Sequence, residues 1–311
     1  MAKTYDKAKW LEDSKVRVEN AKHALETGLA ALQSSTDWKN TLTAMAVIGP
    51  ARLSRLSFRN ALLVLLERPD ARHVATFGTW RKLGRSVTKG SKALTILQPR
   101  FAPRDESEGE RSEGRGAINP ADPGQKLVGF KPLSVFSLQQ TEGPELPAPR
   151  AEKDLQTPEG FAWGVDQLKR VAMALPEVGG IEFRPRLMGD PSKARGWYVP
   201  ATKQIVVITG ESSDATNFRT LVHETAHAVL HPKGDHHSTP EREVEAESTA
   251  FVVCHALGLS TDEVSFPYIS EWAHGTEAAK QLANTGQRIL NAATRMLEVL
   301  APEAVAQKNA A

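Results

Sequence analysis

His223-Glu224-Thr225-Ala226-His227 constrains the chain more than any other stretch, because its spacing makes chemical sense only on a helix. In an α-helix, residues four apart share one face, so both imidazoles can reach one cation while Glu224 stands beside it. Two neutral imidazoles with a neighbouring carboxylate are the core of a zinc-hydrolase site, Zn²⁺ being the expected cofactor and Glu224 the catalytic base. Leu221, Val222, Ala226, Val229 and Leu230 fall at helical spacing around the motif. With Asp214 or Thr216 as N-cap, the pattern predicts a buried amphipathic helix. Thr239 through Leu257, opened by Pro240 and stopped at Gly258, reads as a second helix, rich in carboxylates, with Val244 and Phe251 on its core face.

A catalytic zinc takes three protein ligands and keeps one position for water, so His223 and His227 need a partner from elsewhere. Glu245 is assigned to that place, since a Glu just before a small Ala on the helix after HExxH resembles the arrangement of Glu-ligated zincins. Glu247 and Glu243 are the fallbacks. His231, a turn beyond His227, is a rival ligand, and equally suits a helix end where the dipole favours a cation. The longer metzincin pattern fails, with Leu230 in place of its Gly and Lys233 in place of its third His. His236 and His237 read as loop residues. Upstream, Ile181 to Arg184, Gly196 to Val199 and Gln204 to Ile208 read as short strands, the last two joined by a Pro200-Ala201-Thr202 turn. The expected edge strand lies beside the cleft, where an extended peptide can pair, and its Tyr198 is a candidate for oxyanion support.

A chain of 311 residues exceeds the usual single core, which predicts two domains of about 150 residues each. Charge divides the same way. Residues 1–150 carry 24 Lys and Arg against 16 Asp and Glu, and residues 151–311 carry 15 against 21. Residues 51–100 are the most basic part, 11 against 2, with Phe58, Phe77 and Trp80 interleaved among Arg59, Arg72, Arg81, Lys82 and Arg85. That mixture suits single-stranded nucleic acid, where cations follow phosphates and aromatic rings stack on bases. Aromatics in a half-apolar segment serve equally as core. The expected DNA-binding residues are Arg59, Trp80, Arg81, Lys82, Arg85, Lys89 and Lys92. Arg81 to Lys92 also carries glycines at two bends, so cations and backbone donors can converge on phosphates; a solvated hairpin is the plain alternative.

The remainder reads as scaffold. Residues 5–33 form an expected long helix, residues 51–66 a second one ended by Pro69, and Ala278 to Leu300 a closing helix. Leu94 to Leu97 and Leu127 to Phe130 read as strands across an acidic, Gly-, Glu-, Arg- and Pro-rich insert. Its composition, about 102–125, predicts a disordered loop. Glu142 to Pro158, with Pro144, Pro147 and Pro149 inside it, reads as the linker between domains 1–150 and 151–311. Cys254, on an apolar helix face, is expected to be a buried small hydrophobe. No apolar signal core opens the chain and no run of 18 apolar residues occurs, so a soluble cytoplasmic protein without membrane contact is expected.

Residues from about 157 to 300 resemble a zincin-type metallopeptidase domain of the ImmA/IrrE kind, through Thr220 to His231 and Glu243 to Glu247. The first half is similar to the N-terminal domain of the ArdC antirestriction proteins, a single-stranded DNA-binding module. That likeness runs through Ser57 to Leu63, Arg68 to Ala71, Phe77 to Arg85, Val87 to Gly90, and Val135-Phe136 with Gln140 to Gly143. Ser137-Leu138 replaces the acidic residue usual after Phe in the last of these. The resemblance implies an α+β, two-domain protein in which single-stranded DNA binding accompanies a zinc-dependent peptidase-like domain, protecting incoming mobile-element DNA. A peptidase cleaving a transcriptional repressor, and a purely DNA-binding protein with a structural zinc, are the competing expectations. A fourth protein ligand such as His231 would favour the structural metal, and an open groove beside the metal would favour catalysis.

Overall fold

The computed structural model describes residues 7–32, 34–48, 56–103, 118–119, 122–146, 153–176, 178–187, 193–231, 238–261 and 277–300. The architecture is α+β in two domains. The first contains α1 (Lys7–Ala31), α2 (Ser35–Ile48), α3 (Phe58–Glu67), β1 (Val74–Ala75), α4 (Phe77–Lys82), β2 (Ser86–Val87), β3 (Leu94–Pro103), β4 (Ile118–Asn119), β5 (Asp122–Ser137) and β6 (Thr141–Glu142). β5 lies between β1 and β3, all antiparallel, with β4 also paired to β5, and β2 pairs β6 separately. α3 is held at its start by Ser57, whose side chain accepts from the Asn60 backbone N–H.

The expected disordered loop at 102–125 is shorter at both ends than composition suggested. β3 and β5 stay paired out to Pro103 and Gln125, with a register shift between Arg100 and Phe101. Ladder hydrogen bonds come from the backbone, so a hairpin can outrun the apolar alternation that marks it in sequence. Residues 104–117 lie outside the described residues, as do His236 and His237.

The second domain contains α5 (Pro158–Met173), β7 (Gly180–Pro185), β8 (Gly196–Val199), β9 (Gln204–Thr209), α6 (Asp214–Leu230), α7 (Thr239–Ala256) and α8 (Ala278–Leu300). β9 is central, parallel to β7 and antiparallel to β8, so β8 is an edge strand. Ser213, rather than Asp214 or Thr216, caps α6, its Oγ 3.3 Å from the Thr216 backbone N. α7 begins at an equivalent Ser238 cap with Pro240 in the first turn, and Gly258 follows its end at φ +79°.

Helices of the first domain pack on α7 and α8. Trp38 of α2 is fully buried and its Nε1 donates to Ser248 Oγ of α7 at 2.9 Å. Phe58 of α3 lies against Trp38, ring centroids 5.9 Å apart, and against Gly286 of α8. A Cβ at Gly286 would stand 2.2 Å from the Phe58 ring, so this crossing needs glycine. One apolar cluster therefore runs from Trp38 and Phe58 through Phe251 and Ile289 to Phe218 and Leu221 beneath the HExxH helix.

Candidate metal centre

α6 presents His223 and His227 one turn apart, and α7 lays Glu243 across them. His223 Nε2 and His227 Nε2 are 3.1 Å apart, and oxygens of Glu243 lie 3.6 Å from the first and 3.5 Å from the second. Ligands about 2.1 Å from one tetrahedral ion stand roughly 3.4 Å from each other, so this triangle is the size a zinc-like cation requires. Among the described residues it is the one cluster of three His, Cys, Asp or Glu with this property. The donor types fit as well, two imidazoles and a carboxylate.

The triangle opens into a cleft of about 570 Å³ between β8, α6 and α7, lined among others by Trp197, Tyr198, Arg219, Arg242 and Glu224. β8 comes this close because residue 196 is glycine. A Cβ there would meet Val206 O at 2.7 Å and the Thr220 methyl at 2.8 Å. The Tyr198 backbone N–H hydrogen-bonds the Glu224 carboxylate, which fixes the carboxylate beside the histidines.

Charge is concentrated here. Burial by itself lowers the His223 pKa, but hydrogen bonds to Glu243 and Glu247 and the charges of Glu224 and Glu247 outweigh it and raise the pKa to about 10. Burial raises the Glu224 pKa despite the nearby histidines. Glu243 is held well below the carboxylate range by its hydrogen bonds to both rings. In Glu247, burial pushes the pKa up, but His223 and Arg219 pull it below its ordinary value. His223 Nδ1 is 2.9 Å from Glu247 Oε2, and Arg219 Nη2 is 2.7 Å from Glu247 Oε1.

Glu245, the expected third ligand, is not in the triangle. It is fully buried on another side of α7, with Oε2 2.9 Å from His231 Nε2 and Oε1 3.0 Å from Arg288 Nε of α8. Helix phase explains the difference in placement: residues 243 and 247 are four apart and share the cleft face, whereas 245 is rotated about 200° from 243. His231 caps the end of α6 and its Nδ1 faces His227 Nδ1 at 3.1 Å, so it lies behind His227 rather than in the ligand triangle. Cys254 is buried as expected, with its pKa pushed up to about 12 by burial. Arg219, Gly196 and Arg288 were not picked out from sequence. Arg219 carried a usable signal, lying four residues before His223 on the same helix face.

The basic segment divides into exposed and buried parts. Arg59, Arg81, Lys82, Lys89 and Lys92 are exposed. Arg59 Nη2 lies 3.4 Å from Asn284 Oδ1 on α8. Trp80 is fully buried, with its Nε1 donating to the Phe136 carbonyl at 2.9 Å, so its ring is core and not a base platform. Arg85 is buried too, donating to Thr141 Oγ1 at 2.8 Å and to the Thr141, Gly143 and Pro144 carbonyls. Its guanidinium ties the β2 turn to β6 and is spent on backbone, which removes it from the expected phosphate contacts. Phe58, the third aromatic of the segment, is core, whereas Phe77 is 52% exposed. No helix among the described residues is long and apolar enough to cross a membrane.

Residues 19–128 match the family model for the N-terminal domain of anti-restriction factor ArdC, and residues 180–265 match the IrrE N-terminal-like domain. The chain therefore joins an ArdC N-terminal-type segment to an IrrE-like peptidase-type segment. An uncharacterized protein of Bacillus anthracis is 24% identical over 96% of this chain, and the chain spans 54% of that relative's length. Among solved structures, the metal-free antirestriction ArdC protein from R388 plasmid covers 80% of this chain with 84% of its own, at 20% identity and TM-score 0.41. Its Mn(II)-bound form gives 19% identity and TM-score 0.39 over the same shares.

Proposed function

We propose that this protein is a DNA-binding, metal-dependent peptidase of the antirestriction type, with nucleic acid held by residues 1–150 and hydrolysis carried out by residues 151–311. The observation that carries the reading is the meeting of His223, His227 and Glu243 with Glu224 in one open cleft bordered by edge strand β8. His223, His227 and Glu243 would hold a divalent cation, Zn²⁺ being the best match to this donor set. Bound there, such an ion supplies Lewis acidity and makes water a stronger acid. Glu224, hydrogen-bonded by the Tyr198 N–H and raised in pKa by burial, takes the proton from the attacking water on its carboxylate. An extended peptide is oriented by pairing along β8, with Trp197 and Tyr198 beside it. His231 turns away from the triangle, which favours a catalytic over a purely structural metal.

On the nucleic-acid side, Arg81, Lys82, Lys89 and Lys92 supply the cations. Exposed Phe77, four residues before Arg81 on α4, takes the stacking role that Trp80 cannot. The reading is tested by Glu224→Gln. The variant keeps its metal, as measured by elemental analysis, and loses at least about a hundredfold in metal-dependent peptide cleavage, the usual loss when a general base is removed. Wild-type cleavage that persists unchanged in Glu224→Gln would overturn the assignment.

A further inference from the structure

Behind each histidine of the cluster stands a carboxylate of α7, and the two are reached differently. His223 Nδ1 meets Glu247 Oε2 directly. His227 Nδ1 meets His231 Nδ1 at 3.1 Å, and His231 Nε2 meets Glu245 Oε2 at 2.9 Å. Two facing ring nitrogens form a bond only when one carries the hydrogen and the other its lone pair. With the Glu245 carboxylate accepting at the far end, His231 carries its hydrogen on Nε2 and offers a bare Nδ1. His227 must then carry its own hydrogen on Nδ1, which leaves the lone pair on Nε2, the atom facing His223 Nε2 and Glu243.

The relay is buried at its carboxylate end, while His231 also borders the cleft. Glu245 is 0% exposed and His231 7%. Arg288 is the cation facing Glu245, its Nε 3.0 Å from Oε1 without the N–H being aimed at that oxygen, so this contact is an ion pair rather than a formed hydrogen bond. Nη2 of the same arginine donates to the Leu230 carbonyl in the last turn of α6. Arg288 thus holds both the carboxylate and the helix end that carries His231.

We infer that Glu245 and His231 are positioning residues, a buried relay that fixes the tautomer and ring orientation of His227 for a divalent cation. The inference rests on the reading of His223, His227 and Glu243 as the ligand set. It gives three of the four glutamates of α7 separate tasks: Glu243 on the cation, Glu247 behind His223, and Glu245 behind His227 through His231.

The test is chelator-competition titration of Zn²⁺, with Co²⁺ absorption spectra, on full-length protein. His231→Leu and Glu245→Met each weaken Zn²⁺ binding roughly 10–100-fold, the usual effect of losing a partner behind a ligand, and shift the Co²⁺ bands. The double variant is no weaker than the worse single one, because both changes cut one chain of bonds. His231→Gln recovers most of the affinity, since its amide can accept from His227 and donate to Glu245. His227→Ala is the separate check: if it keeps full affinity, the ligand set itself is wrong. If His227→Ala loses the metal while Glu245→Met and His231→Leu stay within about twofold of wild type with unshifted bands, the relay is overturned and the ligand set stands. Failure of His231→Gln to recover what His231→Leu loses marks a packing role and also overturns it. Glu245→Met keeps a similar side-chain length with only a weak acceptor, so it decides the matter where His231→Leu does not fold.

Discussion

Glu243 and Glu245 are two residues apart, and one faces a cleft while the other is sealed in the core. Their substitutions should therefore separate cleanly. Glu243→Ala removes a proposed ligand and should cost Zn²⁺ binding with little effect on the metal-free fold, while Glu245→Ala leaves Arg288 facing an emptied buried site. Breaking a buried pair costs about 3–5 kcal/mol, so calorimetric melting of the metal-free protein should fall for Glu245→Ala and barely move for Glu243→Ala. Equal melting losses would contradict the burial difference. His223 gives a pH dependence. Its folded pKa of about 10 lies above the ordinary 6.5, so its contribution to metal-free stability is whole below about 6.5 and fades as pH rises towards 10. A ligand imidazole must be neutral, so metal uptake at pH 7 to 8 should release about one proton, and log affinity should climb by about one per pH unit. Titration calorimetry in buffers of different ionisation enthalpy reads that proton, and affinity flat between pH 6 and 9 would refute it. His223, Glu224 and His227 were legible in sequence because helix geometry fixes their relation. Sequence alone does not separate Glu245 from Glu243 and Glu247, because three glutamates in five residues differ only in helical phase, and the cleft lies on the 243 and 247 side.

The elements that could be read were those with enough repeat. β7, β8, β9 and the HExxH helix fall within a residue or two of the expected spans, and α8 matches Ala278–Leu300 throughout. α2 was missed, although Ser34 and Asp37 exchange side-chain and backbone hydrogen bonds as a cap, because Ser-Ser-Thr-Asp also reads as a turn. α4 was missed because its 6 residues are too few to show a period; Thr76, which caps it through the Thr79 N–H, was the remaining signal. That short helix is central to the proposed nucleic-acid contact, since it carries Phe77 and Arg81 on one side and exposes Lys82. If phosphates are bound here, log affinity for a single-stranded oligonucleotide should fall linearly with log salt, by about 0.7 per contacted phosphate. Arg81→Ala with Lys82→Ala should flatten that slope. Phe77→Ala should weaken binding by about 1–3 kcal/mol at unchanged slope. Trp80→Phe should instead lower the melting temperature, because it removes buried ring volume together with the hydrogen bond from Nε1 to the Phe136 carbonyl. Fluorescence anisotropy across a salt series separates these outcomes, and a slope that ignores Arg81 and Lys82 would move the contact surface elsewhere.

Charge asymmetry and the proline-bearing segment made two halves legible at the scale of the whole chain, but their contact left no local trace. Trp38 and Ser248 are 210 residues apart in sequence, and Phe58 N and Gln287 Oε1, 2.9 Å apart in space, are separated by 229. No periodicity spans such distances. The contact nonetheless completes the half that carries the His223, His227 and Glu243 cluster, because α7 is buried along Val244, Ala246, Ser248, Ala250 and Phe251, and Trp38 with Lys39 of α2 covers part of that surface. A fragment of residues 151–311 would expose this surface together with the α8 face that Phe58 fills. The full chain should therefore melt in one transition monitored both by tryptophan fluorescence and by loss of bound Zn²⁺. The fragment should melt earlier or not cooperatively. In the full chain, Trp38→Ala should cost about 3–5 kcal/mol, since it empties a large buried volume and strands Ser248 Oγ. That loss should lower the temperature at which Zn²⁺ is released, even though Trp38 touches no ligand. If the fragment instead melts as sharply as the whole protein and binds Zn²⁺ equally well, the two halves are independent units and α2 is merely docked on α7.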